Sequence, residues 1–337
     1  MKDNYNRRRF IKLAAITGAG LTFSGSLNPL FAQSKMKGKR VGIIGLDTSH
    51  AVAFTKTLNA TDALPEYKGY KVVAAYPKGS NDIKSSVDRI PGYIEEVKKM
   101  GVEIVSSIND LLKKVDFVLL ETNDGRLHLE QALPVLKAGK RMFIDKPIAA
   151  SVADAKAIFD ASKKYNTPVF SSSSLRYIDG IDDINQGKIG KVLGAHTYSP
   201  AAFEKTHPDF FWYGIHGVEI LFTLMGTGCK SVTRVHTPDV DEVVGIWDDN
   251  RIGTFRGTRN GKSEYGATVF GEKATVNLGK FKGYNPLLIQ IINFFESGTV
   301  PVRPEETLEI CAFMEAADAS KARDGKPVLL SEFIKKG

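Results

Sequence analysis

A lysine, Lys146, follows a short apolar segment in the stretch GKRMFIDKPIA. A lysine just past the C-terminal end of a parallel strand faces the crevice in which α/β proteins bind ligands, and the following Pro147 fixes the backbone. A desolvated lysine can donate to a substrate oxygen or take part in proton transfer. The alternative is a solvated lysine in a surface loop. The stretch makes Lys146 a candidate catalytic residue.

The stretch VGIIGLDTSH has the form of a buried strand, a glycine turn and the start of a helix. In the dinucleotide fingerprint the first glycine makes the turn, the second lets the backbone approach the pyrophosphate, and the third allows close helix packing. Gly45 fits the first position, whereas Asp47 and His50 take the other two. Asp47 either repels a pyrophosphate or caps the helix, while Thr48 and Ser49 favour an anion. The stretch predicts a Rossmann-like strand–turn–helix and leaves cofactor binding open.

The next apolar segment, YKVVAAY, ends without the carboxylate that holds the ribose 2′-hydroxyl in proteins that prefer NAD. Lys78 and Ser80 follow it, and they could hold the 2′-phosphate of NADP. An exposed lysine is also commonly just solvated. The choice between NAD, NADP and no cofactor stays open at this point.

These residues need a sheet to position them, and the first half of the chain predicts one. Strand-like and helix-like segments alternate there, and near-continuous apolar strands indicate a parallel sheet covered on both faces. The predicted strands are 41–45, 70–76, 102–105, 115–121, 141–144 and 168–172. The predicted helices are 51–58, 83–100 as one or two helices with a break at Pro91-Gly92, 108–114, 128–138 and 152–165.

From Val192 to about Leu278 the pattern changes to strand-like runs separated by turn residues, which predicts a mostly antiparallel sheet with one buried face. Residues 248–250 suit a hairpin turn between two of these runs. Helices are predicted over 216–225, 286–297 and 304–323. The predicted divisions of the chain are 1–32, 38–173 for a nucleotide-binding domain, and 174–337 for a substrate and oligomerisation domain.

The N-terminus predicts export. Arg7-Arg8 precede a weakly apolar stretch and a small residue, Ala32, as in a twin-arginine signal that directs the protein to the periplasm. A plain secretory signal or a basic amphipathic arm are the alternatives. Residues 1–32 carry five Lys or Arg against one Asp, so half of the net charge of +8 lies there.

The rest of the chain offers few signs of other partners. It has no long basic run, which argues against a nucleic-acid partner, and no apolar run approaching a membrane span once the signal is removed. Cys229 and Cys311 are the two cysteines, and two buried free thiols are favoured over a disulfide. No CxxC or histidine cluster predicts a metal site.

Five stretches together resemble the glucose–fructose oxidoreductase/inositol dehydrogenase (Gfo/Idh/MocA) family, in family order and at family-like spacing. FIDKP resembles its Glu-Lys-Pro signature, and SSSLRY, ending at Tyr177, resembles the opening of its second domain. The others are INQGKIGKVLGA (184–195), GIHGVEILFTLMG (214–226) and EETLEICAFMEAADASKARDGKPVLL (305–330). The resemblance covers about residues 40–330.

The resemblance implies a Rossmann domain followed by an α/β domain with a large open antiparallel sheet. It also implies hydride transfer between NAD or NADP and a hydroxyl-bearing carbon of a sugar or cyclitol. A closing helix would pack back near the first domain, and the open sheet would form a dimer or tetramer. In an exported protein the nicotinamide would be tightly bound, because free NAD is not available outside the cytoplasm.

The resemblance also assigns residue roles. Lys146 matches the active-site lysine and His216 the active-site histidine, which suits acid–base work on an alcohol. Glu219 stands where Asp is usual and lies beside His216 at helical spacing. Cofactor contacts are predicted at Gly45, Asp47, Thr48, Ser49, His50, Lys78, Asn123, Asp145 and Lys146, and substrate contacts at Tyr177, Trp212 and Tyr213.

Two departures from the family pattern keep other functions open. Trp212 replaces an aspartate that relays protons, although an indole can stack on a sugar, and Asn123-Asp124-Gly125 replaces the usual Thr-Pro-Asn. His128 keeps a helix-start position that is structural. The leading prediction is an NAD(P)-dependent oxidoreductase for sugar-like alcohols. The alternatives are a non-redox lyase, hydratase or glycoside-cleaving enzyme on the same scaffold, and a cofactor-free carbohydrate-binding protein.

Overall fold

The computed structural model describes residues 38–262 and 264–334. The predicted twin-arginine signal, residues 1–32, lies outside these ranges. Within them, no helix is both long enough and apolar enough to cross a membrane.

The first sheet has six parallel strands in the order β3-β2-β1-β4-β5-β6. Its strands are β1 Arg40–Ile44, β2 Lys71–Tyr76, β3 Glu103–Ile104, β4 Phe117–Leu120, β5 Met142–Ile144 and β6 Val169–Ser171. Every residue of β4, β5 and β6 is buried, because helices cover both faces of the sheet. This doubly wound arrangement confirms the predicted parallel sheet.

The helices that connect these strands are α1 Ser49–Asn59, α2 Lys84–Lys99, α3 Ile108–Lys114, α4 His128–Lys137 and α5 Val152–Lys164. The predicted break at Pro91-Gly92 is wrong, since α2 runs through both residues. A proline inside a helix leaves the carbonyl four residues earlier without its donor. Here that carbonyl belongs to Val87, a residue that is 45% exposed, so water can replace the missing bond.

The second sheet has seven strands in the order β12-β11-β7-β10-β9-β8-β13. They are β7 Val192–Pro200, β8 Cys229–His236, β9 Val240–Trp247, β10 Ile252–Thr258, β11 Gly266–Gly271, β12 Thr275–Leu278 and β13 Val328–Leu329. All neighbours are antiparallel except β7 and β10, so the prediction of a mostly antiparallel sheet is confirmed. The predicted hairpin joins β9 to β10, with Asn250 at φ +67°.

The remaining helices are α6 Ile181–Asn185, α7 Asp209–Trp212, α8 Ile215–Met225, α9 Asn285–Ser297 and α10 Pro304–Ala322. Helix α8 is buried at ten of its eleven positions, as its apolar sequence requires. Helix α9 packs on the first sheet, where Phe294 lies 4.9 Å from Phe170 between ring centroids. Helix α10 reaches α5 through Glu315, which accepts from the backbone N–H of Val152 at 2.8 Å. The division of the chain at residue 173 stays a prediction.

Candidate functional site

A cavity of about 340 Å³ lies at the carboxyl end of the first sheet. It brings together nine of the predicted site residues, namely Thr48, Ser49, His50, Asn123, Asp145, Lys146, Trp212, Tyr213 and His216. Sequence reasoning did not select its other lining residues, among them Arg89, Tyr265 and Tyr284. Those three come from α2 and from segments after β10 and β12, and no local motif marks them.

The N-terminus of α1 opens into this cavity. Thr48 precedes the helix in extended conformation, and no side chain of the described residues caps the helix. The hydroxyl of Thr48 is buried without a hydrogen-bond partner among those residues, and Ser49 Oγ lies 3.1 Å from the hydroxyl of Tyr284. Free backbone N–H groups, an orphan hydroxyl and the nearby Arg89 make this end of the cavity suited to an anion.

Asp47 lies beneath the cavity and does not line it. Its side chain is fully buried and accepts from the backbone N–H groups of Asn123 at 3.0 Å and Ser80 at 3.2 Å. Burial raises its pKa, and these two N–H groups oppose the rise. A Cβ atom at Gly79 would lie only 2.1 Å from its Oδ2 atom. Asp47 therefore ties together the loops that follow β1, β2 and β4 and does not cap α1.

Gly45 is required by the turn that precedes α1. Its φ is +86°, and a Cβ atom there would lie 2.4 Å from the side-chain oxygen of Thr122. The close approach lets β1 and β4 end side by side. Gly45 thus shapes the site without lining the cavity.

The loop after β2 holds a network of polar side chains. Ser80 Oγ lies 2.9 Å from both Asp82 and Asp124, and Arg126 pairs with both carboxylates. Burial alone would raise the pKa of Asp124, but hydrogen bonds from His207 and Arg126 lower it overall. Ser80 therefore faces carboxylates, which disfavour a 2′-phosphate. Lys78 lies in a separate groove beside Glu130 and Asn109.

Lys146 and His216 flank one aromatic ring in the cavity. Lys146 Nζ lies 5.8 Å from the ring centroid of Tyr213, and the His216 ring meets that ring edge-on at 5.1 Å. The hydroxyl of Tyr265 donates to the hydroxyl of Tyr213 at 3.2 Å. Burial, and next the positive charge of Lys146, lower the pKa of His216 well below its usual value. His216 is therefore a neutral imidazole at neutral pH.

Ser173 is a partner of His216 that sequence reasoning missed. Its Oγ atom lies 2.7 Å from His216 Nδ1 and accepts from the backbone N–H of Leu175 at 3.1 Å. Ser173 is fully buried, so its hydroxyl proton needs an acceptor, and His216 Nδ1 supplies one. This arrangement leaves the proton of the neutral imidazole on Nε2.

Glu219 does not contact His216 as its helical spacing suggested. Its Oε1 atom accepts from Arg176 at 3.1 Å and from Ser172 at 3.0 Å. Burial raises its pKa, and the charge of Arg176 opposes the rise. A buried guanidinium is a stronger partner for a carboxylate than a neutral ring, so Glu219 turns toward the segment after β6.

Tyr177 also lies outside the cavity lining. It packs among the apolar residues between α9 and the first sheet, and burial raises its pKa to about 12. The predicted substrate contact at this residue is therefore not part of the cavity. His128, predicted to be structural, is fully buried and bonds to the backbone carbonyls of Thr122 and Ile148. Cys229 and Cys311 are both buried free thiols.

The first part of the site is a doubly wound sheet with a free helix N-terminus. The second part is helix α8, which packs on the mixed sheet and carries the neutral His216. This arrangement defines a Rossmann-type protein with a two-part site. Residues 14–172 match the model of the oxidoreductase family with an NAD-binding Rossmann fold (GFO_IDH_MocA). The match covers a little under half of the chain, and over these residues the protein is similar to this Gfo/Idh/MocA oxidoreductase family.

Curated relatives match part of the chain. An uncharacterised oxidoreductase of Streptococcus pneumoniae serotype 4 is 26% identical over 55% of this chain and 58% of its own length. Inositol 2-dehydrogenase of Salmonella typhimurium is 25% identical over 63% of this chain and 60% of its own length. The chain thus spans about three fifths of the length of these relatives.

Solved structures share the fold over nearly the whole chain. Myo-inositol 2-dehydrogenase from Lactobacillus plantarum has a TM-score of 0.70 at 17% identity, covering 86% of this chain and 98% of that one. Scyllo-inositol dehydrogenase from Lactobacillus casei, with bound NAD(H) and scyllo-inositol, has a TM-score of 0.68 at 15% identity, covering 87% and 99%. At these identities the likeness is one of fold.

Proposed function

We propose that this protein is an NAD(P)-dependent oxidoreductase that acts on a hydroxyl-bearing carbon of a sugar or cyclitol-like substrate. The observation that carries the proposal is the pairing of Lys146 and His216 across the ring of Tyr213, in the same cavity as the free N-terminus of α1. The relatives named inositol 2-dehydrogenase and the neighbour with bound NAD(H) and scyllo-inositol support it.

The residues at the free end of α1 fit the pyrophosphate of a dinucleotide. The orphan hydroxyl of Thr48, the hydroxyl of Ser49 and the guanidinium of Arg89 all border the cavity there. The carboxylate of Asp47 is held by backbone N–H groups below this surface. A nicotinamide bound in the cavity would accept or give the hydride. The proposal does not distinguish NAD from NADP. It does include that the protein retains its cofactor during export.

We expect the substrate oxygen to lie between Lys146 Nζ and His216 Nε2. Because Ser173 donates to Nδ1, the Nε2–H group is aimed to donate to this oxygen, which stabilises the negative charge that a carbonyl oxygen gains on reduction. In the oxidation direction His216 takes the proton of the alcohol. That step needs the tautomer with its proton on Nδ1, and the imidazolium that results gives the same proton back when the carbonyl is reduced.

The aromatic wall of the cavity suits a sugar-like ring. Trp212 and Tyr213 line the cavity from the end of α7, and the Trp212 ring lies 5.0 Å from the ring of His207 between centroids. An indole presents an apolar face on which the C–H face of a cyclic polyol can stack. Trp212 takes no part in proton transfer in this scheme.

The proposal includes export and self-association. The arginine pair at residues 7–8 directs a folded, cofactor-loaded protein to the periplasm through the twin-arginine route. An exposed apolar row crosses four strands of the second sheet, with Ile246, Ile252 and Phe270 at 44%, 54% and 45% exposure. We expect a dimer or tetramer to form on this face.

The test begins with the purified protein as expressed. On denaturation we expect it to release a nicotinamide dinucleotide that absorbance and mass spectrometry identify. His216→Ala should keep the dinucleotide and lose turnover of polyols by about a hundredfold or more. If the protein releases no dinucleotide and shows no thermal shift with NAD or NADP, the redox function is excluded.

A retained dinucleotide with unchanged turnover in His216→Ala would instead exclude His216 as the proton-transfer group. The network around Ser80 leaves no free carboxylate for the ribose at the end of β2, and this favours a non-redox lyase as the second candidate. In that case Lys146 and His216 would act on substrate without any dinucleotide.

A further inference from the structure

Three buried side chains meet at the floor of the cavity, directly beside Lys146. His50 comes from the first turn of α1, Glu121 from the end of β4, and Asp145 from the end of β5. His50 Nδ1 lies 3.1 Å from Asp145 Oδ1 and 3.7 Å from Glu121 Oε2. One ligand atom from each residue lies within 4.8 Å of the other two.

Glu121 is the member of this group that has no partner. It is fully buried, and neither of its carboxylate oxygens has a hydrogen-bond partner among the described residues. A carboxylate in such a place either holds a proton or needs a cation to neutralise its charge. A second carboxylate, that of Asp145, increases the need for positive charge. His50 Nδ1 lies at hydrogen-bond distance from Asp145.

The spacing of the three residues is close to what a shared metal ion requires. Zinc binds imidazole nitrogen and carboxylate oxygen at about 2.0–2.2 Å, so two ligand atoms of a tetrahedral shell lie about 3.3–3.6 Å apart. The observed separations of 3.1 and 3.7 Å lie on either side of this range. Asp145 is also held in place, since its Oδ1 atom accepts from the backbone N–H of Lys146 at 2.8 Å.

We propose that His50, Glu121 and Asp145 bind a divalent transition-metal ion, of which Zn²⁺ and Mn²⁺ fit the one-imidazole, two-carboxylate donor set. Because His50 and Asp145 line the cavity, the remaining coordination positions face the substrate. A metal there places a Lewis acid next to Lys146, able to hold a substrate hydroxyl or a water molecule. All three ligands are side chains of this protein, so the metal proposal does not require a bound dinucleotide.

The experiment uses the purified full chain after treatment with a chelator and dialysis. Titration with ZnCl₂ and, separately, MnCl₂ is followed by calorimetry and by the thermal unfolding midpoint. We expect one ion per chain and a raised midpoint for at least one of the two metals. Glu121→Gln should weaken binding at least tenfold while its circular dichroism stays native, because the amide keeps the shape and removes the charge.

Glu315→Gln is the matched control. Glu315 is a partly buried carboxylate on α10 that bonds to a backbone N–H group, outside the trio, so this variant should bind metal as the wild type does. If Glu121→Gln does not fold, His50→Asn serves as the second variant with the same expected loss. Equal binding by wild type and a folded trio variant, or no binding of either metal, would overturn the proposal. Titration of the same samples with NAD and NADP tests the proposed function separately.

Discussion

At the residue scale, the candidate site depends on which ring nitrogen of His216 carries its proton. Ser173 decides this, because its buried hydroxyl has Nδ1 as an acceptor and the backbone N–H of Leu175 as a donor. In the proposed function, the Nε2–H group would then donate to the substrate oxygen. Ser173 is a positioning residue, since it acts through His216.

Replacement of Ser173 by alanine tests this role. We expect Ser173→Ala to reduce kcat by about tenfold with little change in KM, which corresponds to the loss of about one hydrogen bond. A donor to Nδ1 stabilises the neutral ring, so its removal should raise the pKa of His216 and move the acidic limb of the pH–rate profile to higher pH. Ser173→Thr keeps the hydroxyl and should restore both values. An unchanged pH profile in Ser173→Ala would assign Ser173 a purely structural role.

The comparison of Ser173 with Glu219 shows what residue spacing can predict. Spacing along α8 correctly placed Glu219 one turn from His216 but could not reveal Arg176, the buried cation that takes its carboxylate. Ser173 lies 43 positions before His216 and reaches it only because the segment after β6 packs on α8. Spacing within one helix predicts which residues are neighbours, whereas the partner that each side chain takes depends on residues distant in sequence.

At the element scale, a buried ionic network fixes the short helix α7 that carries Trp212 into the cavity. Arg234 on β8 is fully buried and donates to Asp241 on β9 and Asp318 on α10, each at 2.8 Å, and also to Asp209 at the start of α7. Arg259 pairs with Asp209 and Asp241 as well. The network joins four elements, so the aromatic wall is held from behind.

Asp318 gives this network a pH dependence. Burial, and next the charge of Asp209, raise its pKa to about 7 from 3.8. Between about pH 4 and pH 7 the Asp318 carboxyl is therefore protonated in the folded state and ionised in the unfolded state. Its contribution to stability is fully present below pH 4 and is lost as the pH rises through 7. The asparagine side chain of Asp318→Asn does not titrate, so only the wild type should lose stability between pH 5 and pH 8. The unfolding free energy of the variant relative to that of the wild type should therefore increase by about 1–3 kcal/mol over this range. Urea denaturation at the two pH values measures it, and a constant or shrinking difference would contradict the assignment.

Elements were more predictable than their exact ends. The six strands of the first sheet follow from apolar runs that need burial on both faces, and all six are present. The sequence left open whether 83–100 forms one helix or two, because the cost of Pro91 depends on whether the unpaired carbonyl meets water, which only the fold decides. Helix α7 was missed for a similar reason, since four residues carry too little pattern and the network around Arg234 stabilises them.

At the scale of the whole molecule, the second sheet leaves one apolar row uncovered. Ile252 lies opposite Ile246 on one neighbouring strand and opposite Gly194 on the other. Gly194 in turn lies opposite Phe270. The row crosses β9, β10, β7 and β11, and the Ile246, Ile252 and Phe270 side chains in it remain about half exposed. A contiguous apolar surface of this kind is typical of a subunit interface.

A charge in the middle of this row should prevent self-association. We expect the wild type to be a dimer or tetramer by light scattering, and Ile252→Asp to be a folded monomer, because a buried unpaired carboxylate costs several kcal/mol. Val235→Asp, on β8 outside the row and 64% exposed, is the control and should keep the wild-type mass. A monomeric wild type, or an unchanged mass in Ile252→Asp, would show that this face is not an interface.

Asp47 and Gly79 have a consequence for how this sequence can vary. A side chain at position 79 would collide with the carboxylate that holds the loops after β2 and β4, so position 79 cannot take a larger residue while Asp47 is kept. A related chain with a larger residue at position 79 is expected to have lost the aspartate first, and an aligned set of relatives in which the two positions vary independently would disprove this coupling.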